Sequence, residues 1–154
     1  MRTVLYKRAT FVTHLPVEHL YTPSHNWLMR VPEGAGEWRV GYTKFALRML
    51  GELVDLKFDL AKDAPVQVGD IVGSIEGFKA ISDVYSVGKG RFVTGNLGLT
   101  SGLDSITEKP YDEGWLYQFA GEPDSRAVDV DGYRALLDVT IDRILEKQKQ
   151  EEQQ

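Results

Sequence analysis

One segment narrows the fold of this chain more than any other: Gly73-Ser74-Ile75-Glu76-Gly77-Phe78-Lys79-Ala80-Ile81-Ser82-Asp83-Val84-Tyr85-Ser86. Apolar residues alternate on the way in, at Ile71, Gly73 and Ile75, and resume at Ile81 and Val84. Polar Ser74, Glu76, Ser82 and Asp83 lie between them. A period of two on both sides of a short break predicts strand, tight turn, strand. One lysine, Lys79, falls at the turn. A hairpin tip faces water, so the pattern predicts an amine with no partner to satisfy, which makes it an attachment point. Glu76 and Asp83 flank the tip, either as recognition features for an attaching enzyme or as solvated charges.

The rest of the chain predicts short strands separated by glycine and proline. Val4, Tyr6, Phe11 and Val12 suggest a first strand ended by Pro16. Tyr21–Val31, introduced by a turn at Pro23-Ser24, and Trp38–Tyr42 read as a hairpin across Pro32–Glu37. Thr43 is a suitable N-cap for a short helix carrying Phe45, Ala46, Leu47, Met49 and Leu50 and closed by Gly51. Val54, Leu56 and Phe58 alternate with charged residues as a half-buried strand, and Pro65 and Val68-Gly69-Asp70 mark a turn. Val87–Gly90 reads as a turn, Arg91–Gly95 as a strand, Gly98 to Gly102 as loop, and Trp115–Phe119 as the last strand. Val130, Tyr133, Leu136, Leu137, Ile141, Ile144 and Leu145 share one helical face beginning near Asp129, and are expected to pack on the β body. Residues 147–154 are polar and expected to fray.

Several function classes are disfavoured. A net charge of −5, with no basic patch carrying aromatics, argues against nucleic acid. The absence of cysteine removes disulfide scaffolds, thiolate metal sites and cysteine nucleophiles together. His14, His19 and His25 share no strand or helix face and have no carboxylate cluster, so no metal is expected; His25 is expected to hold a structural hydrogen bond. Trp27, Trp38 and Trp115 read as core residues. No segment is long and apolar enough for a membrane span, and the apolar stretch before Lys7-Arg8 is too short for a secretory signal. A cytoplasmic protein is expected. No serine, histidine and carboxylate set suggests a triad, and a Schiff-base lysine belongs in an apolar pocket rather than on a turn. The expectation is a non-catalytic protein, either a carrier or an unmodified scaffold.

The lysine segment resembles the lipoyl-lysine hairpin of the glycine cleavage H-protein family, Ser-Val-Glu-Ser-Val-Lys-Ala-x-Ser-Asp-x-Tyr-Ser, at Ser74, Glu76, Lys79, Ala80, Ser82, Asp83, Tyr85 and Ser86. Four further stretches are similar to that family in order and spacing: Tyr21–Trp27, Val40–Ala46, Leu50–Val54 and Pro110–Leu116. Together they cover roughly residues 20 to 120. The resemblance implies a mainly β, barrel-sandwich hybrid fold, two small sheets packed together, with a short helix after the first hairpin and a C-terminal helix. It implies a carrier domain over 1–125, a helix packed on it over 126–146 and a polar tail over 147–154. It also implies lipoic acid attached covalently to Lys79. Glu76, Gly77, Phe78, Ala80 and Asp83 are then the residues that a modifying enzyme or partner reads.

A lipoyl carrier implies a lipoate-protein ligase or lipoyl transferase as partner. In glycine cleavage the further partners are glycine decarboxylase, an aminomethyltransferase and dihydrolipoamide dehydrogenase. The chain departs from the family at Gly77-Phe78, which replaces Ser-Val and reads as a more flexible but bulkier approach to the lysine. It departs again at Val87-Gly88-Lys89-Gly90 and at Gly95-Asn96-Leu97-Gly98-Leu99. These differences cluster near the expected recognition surface. They lean the reading toward the family's lipoate-binding branch used in bacterial sulfur oxidation with a heterodisulfide-reductase-like complex, with glycine cleavage as the alternative.

Overall fold

The computed structural model describes residues 1–99 and 101–153. Eleven strands among them form three sheets. The first is a two-stranded antiparallel hairpin, β1 (Thr3–Arg8) with β2 (Phe11–Pro16). The second has six strands in the order β3 (Leu20–Tyr21), β4 (Asn26–Arg30), β5 (Glu37–Tyr42), β11 (Tyr117–Pro123), β10 (Gly88–Gly95) and β7 (Pro65–Val66). The third places β8 (Ile71–Gly77) between β6 (Leu53–Phe58) and β9 (Ile81–Tyr85). Helices α1 (Lys44–Leu50), α2 (Asp104–Glu108) and α3 (Val130–Glu152) complete the described chain.

The six- and three-stranded sheets share one core, in which Val72, Ile75 and Val84 meet Leu28, Val40, Phe92, Tyr117 and Phe119. This is the expected β sandwich. A second core lies on its flank. There Tyr6, Phe11 and Leu15 of the terminal hairpin pack with Tyr21, Trp27 and Phe45, and with Val130, Tyr133, Leu137 and Ile141 of α3. Burial of large side chains on this scale is the main source of stability for such a body. Tyr21 and Tyr133 stack with ring centroids 4.7 Å apart, and Asp129 caps α3 by accepting from the Gly132 amide at 2.9 Å.

Several local expectations change. The first sixteen residues make two strands and a third sheet rather than one strand. Gly88-Lys89-Gly90 is not a turn but the start of β10, paired with Pro123, Glu122 and Gly121. A side chain at Gly88 would run into the Phe119 ring, so glycine there permits close packing rather than chain reversal. The last strand begins two residues later than Trp115, a 3-10 turn at Leu97–Leu99 overlaps the start of the stretch read as loop, and α2 follows that stretch. The helix expected over 126–146 runs Val130–Glu152, so the tail expected to fray is helical as far as Glu152. Its Glu, Gln and Lys residues are good helix formers. Gln154 lies outside the described residues. Ile144 and Leu145, expected to pack on the body, remain 37% and 43% exposed.

A polar hub ties the two cores together. The Tyr133 hydroxyl lies 2.9 Å from His25 Nδ1 and 2.8 Å from Thr43 Oγ1, and Thr43 Oγ1 accepts from the Ala46 amide as the cap of α1. The Tyr133 hydroxyl thus hydrogen-bonds both Thr43 Oγ1 and His25 Nδ1, a pairing that a neutral imidazole satisfies. Burial lowers the His25 pKa from 6.5 to about 4, keeping the ring neutral. The unfolded chain binds this proton below pH 6.5 and the folded chain does not, so stability is full above 6.5 and falls as pH drops toward 4. Unfolding free energy measured in urea is expected to fall by roughly 2 kcal/mol between pH 7 and pH 5. His25→Asn, which tolerates the left-handed backbone at this position (φ 64), should flatten that slope. An unchanged slope in the variant would show that His25 is not its source.

Candidate functional site

The lysine turn is built by three contacts of its backbone. Within the hairpin, the Gly77 amide donates to the Ala80 carbonyl at 2.9 Å, closing a ladder that pairs Glu76 with Ile81 and Ser74 with Asp83. Two more bonds leave the hairpin: the Phe78 amide donates to Glu52 O at 2.9 Å and the Lys79 amide to Leu50 O at 3.0 Å. The tip is thereby stapled to the exit of α1. The sandwich core holds β8 and β9 through Ile75 and Val84, so the Cα of Lys79 is fixed by both sheet and helix.

Gly77 has a different role from the one its sequence context suggests. A Cβ there would come within 2.2 Å of Leu50 O, so the glycine brings the turn against α1 and tightens the approach rather than loosening it. The core alternation also differs. A register irregularity between Ile71 and Gly73 interrupts the period of two, burying Val72 while Ile71 faces solvent.

The expected site residues stand together around the tip. Phe78 and Ile81 are 76% and 74% exposed, an apolar collar on either side of Lys79 and Ala80, which are also exposed. Asp83 is exposed and Glu76 half-buried. The Lys79 amine is not free, as the sequence pattern suggests, but donates to the Arg48 carbonyl at 3.2 Å, with its stem lying over Gly51. This bond caps one of the orphan carbonyls at the end of α1.

Lys79 therefore lies along the surface, between two grooves. One, of about 340 Å³, runs between the β1–β2 turn, α1 and α3. The other, of about 630 Å³, lies on the α2 side, past Val12, Leu47 and Thr107. A third, of about 390 Å³, opens on a neighbouring face of α1 between Ser24, Tyr42 and Asp83. Arg48, Met49, the terminal hairpin and α3 all border the first groove; sequence reasoning did not find them, because no motif links residues so far apart.

Chemically the arrangement offers a primary amine on a pinned, solvent-reachable turn, bordered by apolar surface. That suits covalent acylation and a mobile acyl arm. Among the described residues, no group of three or more histidine, aspartate or glutamate side chains is placed to hold a metal ion. His19 instead donates from Nε2 to the Tyr111 carbonyl at 3.1 Å.

Comparison with known proteins agrees with this geometry. The family model described as glycine cleavage H-protein matches residues 19–132. The chain is 32% identical over 130 residues to the glycine cleavage system H protein of Photorhabdus laumondii, covering 82% of this chain and 98% of that protein. It is 33% identical over 130 residues to the one from Kocuria rhizophila, covering 82% and 100%. The crystal structure of a glycine cleavage system H protein from Mycobacterium marinum superposes with a TM-score of 0.68 at 27% identity, covering 79% of this chain and 97% of that one.

Gly77→Ser, which introduces the residue the family usually carries, is expected to lower stability by about 1–3 kcal/mol in urea denaturation, because its Cβ must displace the Leu50 carbonyl. Unaltered stability would mean that the close approach is not required.

Proposed function

The chain belongs to the glycine cleavage H-protein family, whose members carry lipoate covalently on a lysine, and from that premise we propose that Lys79 is the lipoyl attachment site of a glycine cleavage carrier. The observation that carries the reading is the turn itself: an exposed lysine on a tip held by hydrogen bonds to Leu50, the last residue of α1, and to Glu52 just beyond it. Such a base is rigid while the arm beyond it is free to move. Tethering then makes each encounter with a partner's active site nearly intramolecular.

Bound lipoate supplies a dithiolane that takes up an aminomethyl group and electrons. The protein's own contribution is placement. Acylation removes the positive charge of Lys79, so the arm's root enters a partner's cleft without a buried ammonium. Phe78 and Ile81 present an apolar collar at that root, and Glu76, Gly77, Ala80 and Asp83 shape the surface that a lipoate-protein ligase or lipoyl transferase reads. Glycine decarboxylase, an aminomethyltransferase and dihydrolipoamide dehydrogenase are the partners that follow. The carrier function resides in residues 1–125, with the C-terminal helix packed on them. Catalysis lies with the partners. Among the described residues no helix is long and apolar enough to cross a membrane.

The lean toward sulfur oxidation finds no support. Relatives matched along almost their whole length are named glycine cleavage system H proteins. The departures that prompted that lean also have packing reasons: Gly77 lies against Leu50 O and Gly88 against Phe119.

Intact-mass and peptide analysis of protein made in a lipoate-fed bacterium is expected to find a lipoyl group on Lys79. Lys79→Arg should carry none, keep the same circular dichroism and melting temperature, and lose at least about a hundredfold in supporting decarboxylase-catalysed glycine–CO2 exchange. Wild-type protein left unmodified under these conditions overturns the assignment.

A further inference from the structure

The lysine turn is held through α1, and α1 is in turn held from its opposite end. This helix has seven residues, too few to be stable alone. Its last carbonyls serve the turn: Leu50 O accepts from the Lys79 amide at 3.0 Å and Arg48 O from Lys79 Nζ at 3.2 Å. Its apolar side chains are divided between the two cores, Phe45 in the second and Leu47 and Leu50 in the first. Apolar contact is non-directional, so the position of α1 along its own axis is set chiefly by hydrogen bonds.

Those bonds converge on its N-terminus. The Thr43 amide donates to His25 O at 3.0 Å, and the Lys44 amide donates to the Tyr111 hydroxyl at 3.0 Å. Thr43 Oγ1, which accepts from the Ala46 amide, hydrogen-bonds the Tyr133 hydroxyl at 2.8 Å; that hydroxyl also meets His25 Nδ1 at 2.9 Å. Tyr133 is itself immobilised. It is fully buried, its ring stacks on Tyr21 with planes 6° apart, and it sits in the first turn of a helix capped by Asp129. A buried phenol shared between a helix cap and a ring nitrogen is costly to displace, because both partners would be left unpaired. It lies immediately after the segment that the family model matches.

We propose that Tyr133 is a positioning residue for Lys79. Its hydroxyl holds the N-terminal cap of α1, and α1 carries that position to the turn through Leu50 O and Arg48 O. Tyr133 touches neither the lysine nor an arm attached to it. What it sets is where the amine stands when an attaching enzyme closes on it, and productive encounter depends steeply on such placement. The C-terminal helix thereby acts on the site as well as covering the second core. The functional readout of this inference rests on the assignment of lipoate to Lys79; the structural readout does not.

The test compares full-length wild-type protein with Tyr133→Phe and Tyr21→Phe. Each variant keeps the stacked rings and loses one buried hydroxyl, but the Tyr21 hydroxyl donates to Pro16 O at 2.6 Å and has no line to α1. Amide hydrogen exchange at Phe78 and Lys79, measured relative to the Phe92 amide in β10, reports how firmly α1 holds the turn. It is expected to quicken about three- to tenfold in Tyr133→Phe and to stay at the wild-type value in Tyr21→Phe. Thr43→Ser, which retains the hydroxyl, should exchange as wild type, and Tyr133→Phe added to Thr43→Val should change nothing further. With a lipoate-protein ligase, the KM for the apo protein should rise by about the same factor in Tyr133→Phe while kcat is unchanged. Equal exchange in the two tyrosine variants, a rise no larger than that at Phe92, or an additive effect on Thr43→Val overturns the proposal. So does an unchanged KM alongside faster exchange. If wild-type protein takes no lipoate at all, the carrier assignment falls, and the exchange comparison still decides whether Tyr133 positions the turn.

Discussion

Two backbone hydrogen bonds, from the Phe78 and Lys79 amides to the carbonyls of Glu52 and Leu50, decide what this molecule presents to its surroundings. Without them the β8–β9 tip would be a turn projecting from the end of its three-stranded sheet, free to fray. With them the tip is part of the α1 exit, and a lysine on a mobile element becomes a lysine at a fixed coordinate. Gly77 permits the close approach behind these bonds, since an added Cβ there would meet Leu50 O. A carrier arm gains from this arrangement because the uncertainty in its reach comes from the arm alone.

The fixed tip in turn depends on where α1 is held. Thr43 caps that helix and also hydrogen-bonds Tyr133, which belongs to α3 and hydrogen-bonds His25 in turn. The C-terminal helix, the strand pair β4–β5 and α1 thus meet at one phenolic oxygen inside an aromatic core. Desolvation keeps His25 neutral within this hub. The hub couples the second core to the site: moving α3 moves the helix whose last carbonyls hold Lys79.

Much of this was legible in residue patterns. The alternation around Gly73–Ser86 announced the hairpin, Thr43 and Gly51 bracketed α1, and the helical face from Val130 announced α3. These signals are short-range: a cap acts over one turn, and alternation follows the pleat of a single strand. Where the reading missed, a distant contact had intervened. Ile71 and Val72 exchanged faces because β8 and β9 slip register there. Gly88 reads as turn chemistry until the Phe119 ring is seen against it. Ile144 and Leu145 follow the helical period correctly, yet α3 has run past the core by that point and leaves them over a groove.

The sequence by itself determined the mainly β body, the turn that carries Lys79, and the family whose five stretches recur in order, because each is written in neighbouring residues. Only the tertiary structure decided that the lysine amine rests on Arg48 O, that Gly77 is a contact rather than a hinge, and that both chain ends wall a groove beside the site. The physical reason is separation along the chain. Residue 8 meets residue 142, and residue 79 meets residue 48, only after the cores have closed, and no local propensity records such meetings.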